Sequence, residues 1–151
     1  MYVGPVTVDE TKIADFVNQI PKDSGVLELG AGIGDYSVAI RRRTQKFLAI
    51  EPDARLIRCI IANAETHFLQ LGAVNAMISP VTSLSLLDRT ITEDSIFEDD
   101  RIRSIPLEDV LRCVGHDFDY VVVHQESFFD HMTKYYPDFM NRCNVLKSYA
   151  P

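Results

Sequence analysis

Leu27-Glu28-Leu29-Gly30-Ala31-Gly32-Ile33-Gly34 decides how this chain is read. Val26 to Leu29 form a short apolar run between Gly25 and Gly30, the pattern of a buried strand. Glycine then recurs at every second position up to Gly34. Glycine is needed where a chain must turn tightly and let a ligand approach its backbone. From Gly34 to Arg43 the pattern is helical, with Tyr36, Val38, Ala39 and Ile40 apolar. It closes in Arg41, Arg42 and Arg43, cations that complement the end of a helix dipole. The start of that helix offers unpaired N–H groups to whatever lies over the turn.

Outward from this turn, helix and strand patterns alternate. Thr7 to Ile20 spaces Ile13, Phe16, Val17 and Ile20 as an amphipathic helix, ended by Pro21. Lys46 to Ile50 reads as a second strand. Ala54 to Leu71 reads as a long helix with Leu56, Ile57, Ile60, Ile61, Ala64, Phe68 and Leu71 on one broad face, stopped by Gly72. Val74 to Ser79 is a third strand, ended by Pro80, and Leu107 to Val114 a short helix stopped by Gly115. Tyr120 to Val123 is a purely apolar strand, Phe128 to Tyr136 a helix stopped by Pro137, and the tail adds one more helix or strand. Strands of unbroken Val, Leu and Ile belong to a parallel sheet covered on both faces. The expectation is one α/β domain over residues 1–151: a doubly wound, mostly parallel sheet with helices on both faces. Residues 82–105 interrupt the pattern. With the acidic stretch 93–100 they read as an exposed loop or short hairpin, of a length often given to lids.

Such sheets bind ligands beyond the strand C-termini, at the topological switch point. Gly30 to Gly34, Glu51, Ser79 and His124 each follow a predicted strand and so converge on one crevice. Glu51 is placed to accept hydrogen bonds from ribose hydroxyls. A dinucleotide turn reads G-x-G-x-x-G or G-x-G-x-x-A. Here the last position is Asp35, a carboxylate where a pyrophosphate would lie, which argues against NAD or FAD. The leading acid, Glu28, suits a ligand carrying positive charge. S-adenosylmethionine, with a sulfonium, an amino group and no phosphate, meets that requirement; the alternative is a tight strand–helix turn with no ligand.

His124 ends a buried strand, where a neutral imidazole can take a proton from a substrate hydroxyl, with Glu126 to orient it or to act as base. The same histidine equally suits a plain strand–helix junction. A metal site built from His124, Asp130 and His131 has no template in its spacing, so no metal is expected. Asp130 and His131 read as a solvated helix face, His67 as a surface or partly packed residue, and Tyr135-Tyr136 as packing aromatics.

Composition narrows the classes. The 151 residues are 46% hydrophobic and 25% charged, ordinary for a globular chain. A formal charge of −7 disfavours an extended duplex nucleic acid as partner, since phosphate contacts need a basic face. No apolar run approaches the ~20 residues of a membrane span. Met1 to Glu10 lacks the basic and apolar regions of a secretory signal, so a cytoplasmic protein is expected. Cys59, Cys113 and Cys143 form no C-x-x-C pair and read as buried free thiols.

Val26 to Asp53 resembles motifs I and II of the class I S-adenosylmethionine-dependent methyltransferases, and within them the FkbM-type enzymes. The likeness rests on Gly30-Ala31-Gly32-Ile33-Gly34-Asp35-Tyr36-Ser37, on Ile50-Glu51-Pro52-Asp53 with Asn63 on the next helix, and on Ser104 to Leu111 followed by Asp119 to Val123. It covers about residues 25 to 127. The resemblance implies that Gly30, Ala31 and Gly32 line the methionine part, that Glu51 holds the ribose and that Ser79 to Val81 lie near adenine, with Glu28, Gly34, Tyr36 and Pro52 also among the cofactor-binding residues. It implies an S-adenosylmethionine-dependent methyltransferase acting on a small hydroxylated acceptor, a sugar or nucleoside. Two other readings stand beside it: an RNA methyltransferase, although the N-P-P-Y sequence of the ribosomal adenosine dimethylases is missing, and a non-catalytic binding or regulatory module. The FkbM K-I-D-x-E-G sequence is replaced here by Val122-Val123-His124-Gln125-Glu126-Ser127. Class I enzymes carry seven strands, and four or five can be placed, so the expectation is either a fold shortened at its C-terminal side or an edge strand supplied by Met1 to Val8.

Overall fold

A computed structural model describes residues 9–93 and 101–149. Five strands, β1 (Val26–Leu29), β2 (Phe47–Ile50), β3 (Gly72–Val74), β9 (Tyr120–Val123) and β10 (Asn144–Lys147), form a wholly parallel sheet in the order β10-β9-β1-β2-β3. The switch point lies at β1, whose neighbours are β2 on one side and β9 on the other. Leu29 is level with Ile50 and Val123, Val123 with Lys147, and Ile50 with Val74. The next residue of each strand, Gly30, Glu51, His124, Ser148 and Asn75, therefore stands on one rim.

Alternation divides the core. Leu27, Leu29, Leu48, Ile50, Val121 and Val123 pack on one face of the sheet, beneath α4 (Leu107–Val114), α5 (Glu126–Tyr135) and α6 (Pro137–Arg142). Val26, Ala49 and Val122 pack on the other, beneath α1 (Glu10–Val17), α2 (Asp35–Arg43) and α3 (Ala54–Thr66). The helix ends follow their sequence signals. Asp9 caps α1 by accepting from Lys12 N–H at 3.0 Å, Asp53 caps α3 through Arg55 N–H at 2.9 Å, and Gly115 closes α4 with φ 72°. The arginine run does end α2, and Arg41 Nε donates to the Gln70 carbonyl at 2.8 Å.

Several expectations need correction. The third strand is two pieces: β3 joins the main sheet, while β4 (Met77–Ile78) pairs with β8 (Ser104–Ile105) outside it. The long helix stops at Thr66, well before Gly72, because Phe68 takes a left-handed φ of 58°; Phe68 is 97% exposed and Ile61 47%, so the apolar face is narrower than its sequence suggests. Pro137 opens α6 at its first turn, and the tail supplies both a helix and a strand. Cys59 and Cys113 are exposed; Cys143 is buried. The 82–105 segment contains a hairpin and further strand residues. β5 (Leu84–Leu87), β6 (Thr90–Glu93) and β7 (Arg101–Ile102) form an antiparallel sheet in which Leu84 and Ser85 are buried. Most of the acidic run, and the edge strand that Met1 to Val8 could have supplied, lie outside the described residues. No helix among the described residues is long and apolar enough to cross a membrane.

His131 is buried, not solvated, because Phe128, His131 and Met132 share one face of α5. The Ser79 hydroxyl lies 2.8 Å from His131 Nε2 and accepts from Val81 N–H at 2.9 Å. Burial pushes this imidazole below its ordinary value of 6.5. The unfolded chain then binds the proton first as pH falls, and stability is lost below about pH 6.5. Thermal unfolding at pH 8 and pH 5.5 should show a smaller acid-induced drop in Tm for His131→Gln than for the wild type.

Candidate functional site

The glycine turn is built for closeness at one point and openness at another. Gly30 has φ 75°, and a Cβ there would meet the Phe128 ring at 2.8 Å, so α5 packs directly on the turn. Gly32 has φ 65°, and a Cβ there would meet nothing within 4 Å. Its open side belongs to a cavity of about 310 Å³ lined by Gly30, Ala31, Gly32, Asp35, Tyr36, Arg89, His124, Gln125 and Ser148 among others. The Asn63 amide on α3 reaches the Ile33 carbonyl at 3.5 Å from behind the turn.

Glu51 is fully buried, and both its oxygens are engaged twice. Oε1 accepts from Gly32 N–H at 2.8 Å and Oε2 from Asp53 N–H at 2.8 Å. Arg89 supplies the other two contacts in a fork, Nη2 to Oε1 at 2.9 Å and Nη1 to Oε2 at 3.0 Å. Arg89 sits in the two-residue turn between β5 and β6, and its guanidinium also lies 3.4 Å from the Gly30 carbonyl and over the Phe128 ring. Sequence reasoning missed this residue. Pro52 and Asn75 line a second cavity of about 510 Å³ with Leu86, Ile102 and the arginines at 55, 101 and 103.

Glu28 is also fully buried, on the same face of the sheet as His124. Its Oε2 accepts from His124 Nε2–H at 2.8 Å, while Oε1 accepts from the Ser37 hydroxyl. With Nε2 carrying the proton, Nδ1 is the acceptor, and the Ser148 hydroxyl lies 2.6 Å from it. Tyr36 packs against the imidazole with the rings tilted by 50° and their centroids 4.6 Å apart. Glu126, by contrast, is exposed at the start of α5; the acid that orients His124 is Glu28. Ser79 is turned to His131, and Val81 packs against the core below α5. His124 and His131 serve different partners and do not meet as ligands.

Burial, and then the nearby Glu28 carboxylate, raise the Asp35 carboxyl above its usual range. Burial and then the Asp35 charge raise the Tyr36 phenol in the same way. The lining of the turn cavity sets the Asp35 carboxyl in the same space as the Arg89 guanidinium. Gly32 offers the unfilled cradle that a close ligand needs. The open side of Gly32 and the Asp35 carboxyl beside it fit a sulfonium-bearing adenosyl ligand along the turn, while Arg89 covers both oxygens of Glu51.

No protein-family model and no curated protein matches the chain. Solved structures do. The chain is similar to a precorrin-6y C5,15-methyltransferase from Geobacter metallireducens, with a TM-score of 0.56 and 15% identity over 95% of this chain and 62% of that one. It is similar to a SAM-dependent methyltransferase from Thiobacillus denitrificans in complex with S-adenosyl-L-homocysteine, with a TM-score of 0.56 and 11% identity over 91% of this chain and 47% of that one. A ribosomal protein L11 methylase from Lactobacillus delbrueckii subsp. bulgaricus gives a TM-score of 0.54 and 16% identity over 96% and 69%. The fold is the Rossmann-like fold of class I methyltransferases, and the chain spans about three fifths of the first of these relatives and about half of the second.

The two glycines should respond differently to the same change. Gly32→Ala is expected to cost about 1 kcal/mol, the strain of a left-handed residue. Gly30→Ala adds a clash with Phe128 and is expected to cost roughly 2–4 kcal/mol. Urea unfolding of both variants measures the gap.

Proposed function

We propose that this chain is an S-adenosylmethionine-dependent methyltransferase domain acting on a small hydroxylated acceptor, a sugar or nucleoside. The observation that carries the reading is the open Gly32 cradle, tied through its N–H to the acid that follows β2 and facing a cavity at the switch point of the sheet. The fold shared with methyltransferase structures supports it.

On this reading Gly30, Ala31, Gly32 and Tyr36 border the methionine part, and Asp35 supplies negative charge beside it. Glu51 and Pro52 serve the ribose. When bound, the cofactor supplies a methyl group already activated by its sulfonium. The chain's contribution is then orientation and proton removal. Glu28 fixes the proton on His124 Nε2, leaving Nδ1 as the basic atom, and the hydrogen-bonded Ser148 hydroxyl marks where an acceptor hydroxyl would approach it. The carboxylate and imidazole together hold the released proton. The negative charge of the chain supports a small acceptor over an RNA. The second reading, a non-catalytic binding or regulatory module, draws support from one observation: Arg89 occupies both oxygens of Glu51.

Titration calorimetry with S-adenosylhomocysteine on wild type and Gly32→Arg tests the cofactor site. Wild type is expected to bind and the variant, whose new side chain enters the cavity, to lose binding. Equal behaviour of the two removes the site. Methyl transfer assayed over sugars, nucleosides and capped RNA then separates enzyme from binding module. His124→Ala should lower transfer about 100-fold or more with cofactor affinity retained. Glu28→Gln should lower it less and shift the lower arm of the pH–rate profile, the signature of an acid that acts through the histidine.

A further inference from the structure

Glu51 leaves no acceptor site free. A carboxylate offers about four lone-pair positions. Here two are taken by Gly32 N–H and Asp53 N–H, and two by the guanidinium fork of Arg89. A ribose presenting its two adjacent hydroxyls to this carboxylate needs the positions that Arg89 holds. We infer that Arg89 is a built-in competitor for the ribose position and that the β5–β6 hairpin tip must lift for a nucleoside ligand to seat. The inference rests on the cofactor reading given above.

Three further observations support a movable tip. Arg89 lines the cavity along the glycine turn while it holds Glu51, so its withdrawal opens that cavity toward the carboxylate. The turn that carries it is Asp88-Arg89, with φ of 48° and 64°. A two-residue hairpin turn of this kind favours Asn-Gly or Asp-Gly, because both positions need a left-handed backbone. Arg89 therefore holds an unfavourable conformation, and its charge-assisted contacts with Glu51 offset it. The tip is otherwise lightly held: Leu87 is 59% exposed, and the Ser127 hydroxyl reaches the Arg89 carbonyl at 3.4 Å and Ile91 N–H at 3.2 Å.

Arg89→Gly is the informative variant. It removes the fork and leaves Asp-Gly, the residues such a turn prefers, so folding is not at risk from the turn. Arg89→Lys keeps the charge and loses the bidentate geometry. Calorimetry with S-adenosylhomocysteine, which carries no net charge, reads each. Arg89→Gly is expected to bind roughly tenfold tighter than wild type, the factor set by a binding-competent state populated about one part in ten. Arg89→Lys is expected to fall between. Equal affinity of wild type and Arg89→Gly, both measurable, overturns the competitor and leaves the cofactor reading standing. Binding by neither overturns both. Binding by Arg89→Gly alone supports the competitor in its strongest form.

Discussion

A single buried carboxylate, Glu51, ties together the parts of this molecule that matter for function. It follows β2, reaches across to the glycine turn after β1, caps the approach to α3 through Asp53, and takes the guanidinium of the β5–β6 hairpin. A charge with no solvent exposure is tolerable only when every lone pair is matched, because removing it from water costs several kcal/mol. The geometry of the rim follows from that need. The turn cannot drift from β2 without stripping Gly32 from the carboxylate, and the hairpin cannot leave without an incoming donor to replace it.

The second buried acid works in the opposite sense. Glu28 faces inward from the middle of β1 and spends its oxygens on Ser37 and His124, fixing a tautomer where Glu51 holds a shape. The two carboxylates lie either side of the same turn, one on the rim and one beneath it. Asp35, partly desolvated and raised by burial and by Glu28, lines the same cavity as Arg89.

Much of this could be read from the residues. The glycine turn, the acid after β2, the limits of α4 and the alternation of strands and helices all rest on local signals: caps, breakers and periodicity. What could not be read depended on distant contacts. Nothing near Arg89 points to Glu51; only the hairpin register brings it there. The partner of His124 was legible in principle. In the β1–β9 register Glu28 lies level with Val122, so Glu28 and His124 fall on one face as diagonal neighbours. Glu126, closer in sequence, begins a helix and points to solvent. The burial of His131 is likewise written in its spacing from Phe128 and Met132, whereas the apolar spacing of α3 runs on to Leu71, past the point where Phe68 turns left-handed.

The five main strands end level, and each is followed at once by a rim residue. Position along the chain is therefore converted into position around a mouth by counting alone. Adding or deleting one residue inside any of these strands would swing its terminal side chain to the opposite side of the sheet. The lineage of such a protein is thus free to lengthen its connecting segments, yet it is held to fixed strand lengths as strictly as to the identity of the residues that follow them.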